Sequence, residues 1–122
     1  MGKALYFHPG KNGEIVDIEN ILESGVLESR KPETEMPFVD NVIVIFFPHQ
    51  KKEINRPLIV EGKPAAFMLS DFYMVGVRNG KMTGLTKEQI QKYMSKHYYP
   101  AGIFFHGDGI GVFSYDPEGI VS

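Results

Sequence analysis

Cysteine and tryptophan are both absent from the 122-residue chain. Without cysteine there are no disulfides, thiolate zinc sites, iron–sulfur clusters or cysteine nucleophiles, which suits a reducing cytoplasm. Arginine is scarce, with Arg30, Arg56 and Arg78 the full complement. No apolar run approaches the roughly 20 residues that span a bilayer, and the first residues read as a short strand rather than a signal peptide. Charge of one sign is lacking too. The formal net charge is −2, from 13 Lys+Arg against 15 Asp+Glu, so the basic footprint of a duplex nucleic-acid binder is missing. These absences lead to the expectation of a soluble, cytoplasmic protein without membrane or duplex partners.

What is present suffices for one domain over residues 1–122. Hydrophobic residues make up 43% of the chain, and at this size a fold buries roughly two thirds of the surface that its unfolded chain exposes. Lys3 to His8 and Glu14 to Asp17 read as strands of a hairpin around the turn cluster Pro9-Gly10-Lys11-Asn12-Gly13. From Ile18 the apolar spacing becomes helical, with Asp17 as N-cap and Gly25 as stop. Ser29 to Pro37, with two prolines and no periodicity, reads as an exposed loop. Asn41 to Phe47, ended by Pro48, is the most hydrophobic stretch, rich in β-branched residues from Val42 to Ile45, and reads as a central strand buried on both faces. Ile54 to Val60 is strand-like but interrupted by Pro57. Ala65 to Leu69 fits helix or strand. Phe72 to Val77 reads as a strand closed by the Asn79-Gly80 hairpin signal.

The clearest element follows. Thr86 and Gln89 form a capping box, Leu85 and Ile90 a hydrophobic staple, and Ile90, Tyr93, Met94 and His97 or Tyr98 one stripe, so a helix is expected from about Lys87 to Tyr98. Ile103 to His106 and Ile110 to Tyr115 make a closing hairpin. The expected class is α+β, a mostly antiparallel sheet of about six strands with two short helices.

Chemistry-bearing motifs are few. His8, His49, His97 and His106 have no paired metal-ligand spacing, so no metal is assigned, and no motif calls for a cofactor. Gly107-Asp108-Gly109-Ile110-Gly111 is followed by a strand instead of the helix that a phosphate loop needs. No serine stands in a nucleophile elbow. His106 with Asp108 is the one conceivable hydrolytic pair. Arginine forks suit phosphates, and Arg56 is the most singular, set between Asn55 and Pro57 in an apolar segment.

Aromatic residues carry the strongest physical argument. Phe46-Phe47, Phe72-Tyr73, Tyr98-Tyr99 and Phe104-Phe105 are adjacent pairs, three of them in expected strands, and strand neighbours point to opposite faces. If one ring of each pair enters the core, the other lies on a second face that two short helices do not cover. A second copy of the chain, another protein or a flat stacking ligand would cover it. The dull alternative is a sheet that curls and buries both rings itself.

At Asn55-Arg56-Pro57-Leu58, Asp71 to Val77 and Leu85 to Tyr93 the chain resembles a family of small uncharacterised phage and mobile-element proteins, loosely and over about the first hundred residues. The loop from Ser29 to Asp40 and the hairpin after Pro100 depart from the family's pattern. The resemblance implies a small phage accessory protein in a bacterial host, with no catalytic residues to carry over. The leading expectation is a non-catalytic, anti-defence binder that sequesters a nucleotide-derived signal. Phe72, Tyr73, Phe104 or Phe105 would stack the base, and Arg56, Arg78 and His106 would meet phosphates. The alternative is an inhibitor that binds a host defence protein through the spare sheet face, and the third reading is a small hydrolase. The surplus strand aromatics also lead to the expectation of a homo-oligomer, a two-fold dimer.

Overall fold

The computed structural model describes residues 2–48, 52–106, 109–116 and 119–121, with side chains described up to residue 100 except Val26 and Leu27. The elements run β1 (Lys3–Phe7), β2 (Glu14–Asp17), α1 (Ile18–Glu23), α2 (Val26–Ser29), β3 (Glu33–Glu35), β4 (Val42–Phe46), β5 (Ile54–Val60), β6 (Lys63–Leu69), β7 (Phe72–Arg78), β8 (Lys81–Thr83), α3 (Lys87–His97), β9 (Ala101–His106), β10 (Gly109–Asp116) and β11 (Gly119–Val121). The class is α+β, and every described strand pair is antiparallel.

One sheet has the order β2-β1-β7-β4-β3 with β8 on β7; β5-β6 and β11-β10-β9 form two smaller sheets. The described strands outnumber the roughly six expected, in part because short polar strands leave no apolar alternation to read. Glu33–Glu35 is such a case. It was expected as loop, yet it pairs with β4, Thr34 opposite Ile45, with all three side chains exposed. Backbone bonding alone supports a short edge strand of this kind.

Alternation divides the large sheet into two faces. Leu5, Phe7, Val42, Val44, Phe72 and Met74 form one buried cluster with Leu58, Met68, Leu85 and Tyr93 from β5, β6 and the α3 region. Ala4, Ile45, Phe47 and Val75 lie in the other with Ile18 and Ile21 of α1. The aromatic pairs split as alternation requires. Phe46 packs on the first cluster and Phe47 in the second, and Phe72 is fully buried while Tyr73 packs on the opposite side. The second face is therefore partly covered by α1, and its Tyr73 end stays half-open. No helix of the described residues is long and apolar enough to cross a membrane.

The expected capping box is present. Thr86 accepts from the Gln89 amide at 3.1 Å and the Gln89 side chain accepts from the Thr86 amide at 2.9 Å. Asp17 stands at the N-cap of α1 but makes no side-chain cap bond. Asn79 and Gly80 both have positive φ, 54° and 75°, as the two-residue hairpin turn needs.

Candidate functional site

Arg56 is 1% exposed. A register irregularity between Ile54 and Arg56 makes a bulge, so the consecutive residues Asn55 and Arg56 both turn inward. All five guanidinium N–H groups are committed. Nε donates to Asn55 Oδ1 at 2.7 Å, Nη1 to the carbonyls of His97 and Tyr98 at 2.5 and 3.0 Å, and Nη2 to the carbonyls of His8, at 3.0 Å, and Lys11. The cation closes the C-terminal end of α3, where carbonyls lack helical partners and the dipole favours positive charge. Burial lowers its pKa to about 10. Asn55 completes the joint by donating to the carbonyls of Phe7 and Ser70.

His97 belongs to the same structural unit. Its Nε2 accepts from the Ile59 amide at 2.9 Å and its Nδ1 lies 2.8 Å from the Tyr93 carbonyl, so the neutral ring carries its hydrogen on Nδ1. Burial pushes the imidazole down to about 4.

Other residues assemble on the second face. Tyr6 of β1 stands directly opposite Tyr73 of β7, their ring centroids 4.7 Å apart. Phe47 meets Tyr73 edge-on at 6.1 Å, and the Arg30 guanidinium lies 3.8 Å over the Phe47 ring. Arg30 donates in bidentate fashion to Asp71, from Nη1 to Oδ2 at 2.9 Å and from Nη2 to Oδ1 at 2.7 Å. Tyr6 donates to Asp71 Oδ2 at 2.9 Å and Ser70 to Oδ1 at 3.1 Å. Burial alone would raise the Asp71 carboxyl, but the bonds from Arg30, Tyr6 and Ser70 carry it below its ordinary value. The Tyr6 hydroxyl gives its hydrogen to the carboxylate, so His8 Nδ1, 3.3 Å away, donates to the Tyr6 oxygen. Burial first, then Asp71, raises the Tyr6 and Tyr73 phenols.

A cleft of about 320 Å³ adjoins this cluster. Val44, Phe46, Leu58, Phe67 and Met68 supply apolar wall, and the cleft shares Phe47 and Asp71 with the aromatic group. Its volume falls at the small end of the range for ligand pockets.

The residues expected to act together are spread over the fold. Tyr73 lies in the second-face cluster. Phe72, its chain neighbour, is 0% exposed in the opposite core, stacked on Phe7 at 4.9 Å, and offers no surface for stacking. Arg56 has no N–H left for a phosphate. Arg78 is exposed at the other end of β7, about 16 Å along the strand from Tyr73. There it lines a polar cleft of about 420 Å³ with Asn41, Asn79, Thr83 and Gln89. The side chains of Phe104, Phe105 and His106, and Asp108 and His49 altogether, lie outside the described residues. Sequence reading missed Tyr6, His8, Arg30 and Asp71. Alternation did carry a signal for Tyr6, which precedes the core residue Phe7 as Tyr73 follows Phe72, but only cross-strand register joins the two. Arg30 and Asp71 are 41 residues apart, and no local pattern links them.

Among the described residues no group of three or more His, Asp or Glu side chains is placed to hold a metal. Comparison with protein families, curated proteins and solved structures finds no match for this chain.

Proposed function

We propose that this protein is a non-catalytic binding protein that takes a flat, nucleobase-type ring on Tyr73 and Tyr6. The observation that carries this reading is the cross-strand tyrosine pair, half-open on the second sheet face. Aromatic side chains on a sheet are sequence-tolerant stacking platforms, each worth about 1–3 kcal/mol per base. Held without chemistry, a nucleotide-derived signal is sequestered, which is the anti-defence role that the resemblance to phage accessory proteins implies.

The chain has no tryptophan and six tyrosines, so its emission is tyrosine emission, and the part lost in Tyr73→Ala reports on the platform. Titration with cyclic dinucleotides, cyclic trinucleotides and ADP-ribose derivatives should quench it for at least one of them. Tyr73→Ala should weaken that ligand by about tenfold or more with the fold intact by circular dichroism. Silence across the panel in both fluorescence and calorimetry, or unchanged affinity in Tyr73→Ala, overturns the reading and leaves the protein-binding alternative.

A further inference from the structure

We infer that the second-face cluster contains a seat for a phosphate monoester, formed by the outer edge of Arg30 beside the Tyr73 hydroxyl. This inference rests on the ring-binding reading for its ligand but on different atoms for its evidence. Asp71 accepts from Nη1 and Nη2 of Arg30, which is the end-on fork of the guanidinium. Three N–H groups, the Nε–H and one on each Nη, make no hydrogen bond among the described residues. The Nε–H and the adjacent Nη–H form a second, side-on fork in the same plane, the geometry that meets two phosphate oxygens.

The hydrogen-bond balance favours an acceptor-rich ligand. Each Asp71 oxygen already receives two hydrogen bonds, so its roughly four lone-pair sites are filled. Asp71 is 8% exposed at its side chain and Arg30 26%, so the carboxylate faces inward and the guanidinium outward. Tyr73 adds an O–H with no hydrogen-bond partner among the described residues. The uncommitted hydrogens of Arg30 and the Tyr73 O–H are therefore open to an acceptor. Arg30 is also held in place before any ligand arrives, by the Phe47 ring beneath it and the Asp71 fork beside it. Asp71 is in this sense a positioning residue, and pre-orienting Arg30 lowers the ordering cost of binding.

Adenosine, adenosine 5′-monophosphate and inorganic phosphate separate the two halves of the site. The monophosphate should bind about tenfold or more tightly than the nucleoside, and Arg30→Lys, which keeps the charge but loses the fork, should abolish that gain. A readout independent of any variant is available because the chain has three arginines. The Arg30 Nε–Hε resonance should move with the monophosphate and not with adenosine, while that of buried Arg56 stays still. Equal affinity for nucleoside and monophosphate, or a gain that survives Arg30→Lys, overturns the phosphate seat and leaves the ring reading standing. A shift of the Arg30 resonance by inorganic phosphate, with no binding of adenosine, upholds the seat and overturns the ring platform. Silence from all three ligands overturns both.

Discussion

Arg56 and Arg30 are the same side chain used in opposite ways. Arg56 spends its charge on carbonyl dipoles from three segments: the first hairpin turn, the C-terminal end of α3 and its own strand neighbour. Among the described residues no carboxylate bonds to it, and burial makes its proton easier to lose. Arg30 gives two N–H groups to Asp71, which holds its proton more firmly, and keeps three in reserve. A buried charge costs little only when every donor is satisfied. Complete satisfaction marks Arg56 as a structural joint, and the three N–H groups that Arg30 leaves uncommitted are what the proposed phosphate seat uses.

The largest effect should come from the joint itself. Arg56→Leu removes a cation and strands the carbonyls of His8, Lys11, His97 and Tyr98, at a cost of about 4 kcal/mol in urea denaturation. A cost below about 1 kcal/mol would mean that water replaces the guanidinium, and the contrast with Arg30 would collapse.

Acid should attack the same joint through His97. Its folded pKa is lowered to about 4 from an ordinary 6.5, chiefly by burial. Between those values the unfolded chain binds a proton that the folded chain refuses, so the stabilisation is complete above pH 6.5 and is lost as pH falls toward 4. The loss is about 3 kcal/mol. Asp71 contributes in a lower window, because its lowered pKa keeps it charged until pH falls below the ordinary 3.8. Urea midpoints at pH 7.5 and 4.5 would show the His97 loss, and His97→Gln should flatten the slope between them.

Arg30→Ala should cost less, about 2 kcal/mol, since it leaves Asp71 with only Tyr6 and Ser70 while the removed guanidinium was partly in water. Adding Asp71→Asn should restore part of that loss by removing the stranded charge. Simple additivity in the double variant would show that the two side chains do not act as a pair.

The sequence displayed periodic elements well and single-residue joints poorly. The β1–β2 hairpin, β4, β7 and α3 each carry a local pattern, apolar alternation or a stripe between punctuating residues, and those patterns are legible. Pro57 obscured β5 because proline normally breaks a ladder, yet here it sits in a two-stranded ribbon with irregular register. The same irregularity turned Asn55 and Arg56 inward together, which strict alternation would not allow. Of the candidate site, Tyr73 was legible from the rule that strand neighbours face apart. Arg30, Asp71 and Tyr6 meet only through tertiary register, and no spacing in the chain encodes that.

The smallest effect sharpens the comparison at the two ends of α3. Its N-terminal end is closed by a local device, the reciprocal bonds of Thr86 and Gln89, and its C-terminal end by Arg56 from a distant strand. Thr86→Ala removes one acceptor at an exposed site, where water takes over, and should cost about 1 kcal/mol. Arg56→Leu should cost several times more because its stranded carbonyls lie where water is largely excluded. Ligand binding on the second face should not change in Thr86→Ala, since α3 packs on the opposite side of the sheet. Denaturation of the two variants in one buffer tests the ratio. A loss in Thr86→Ala equal to that in Arg56→Leu would mean that the helix is held equally at both ends, and that the buried guanidinium has no greater share in the fold than an ordinary cap.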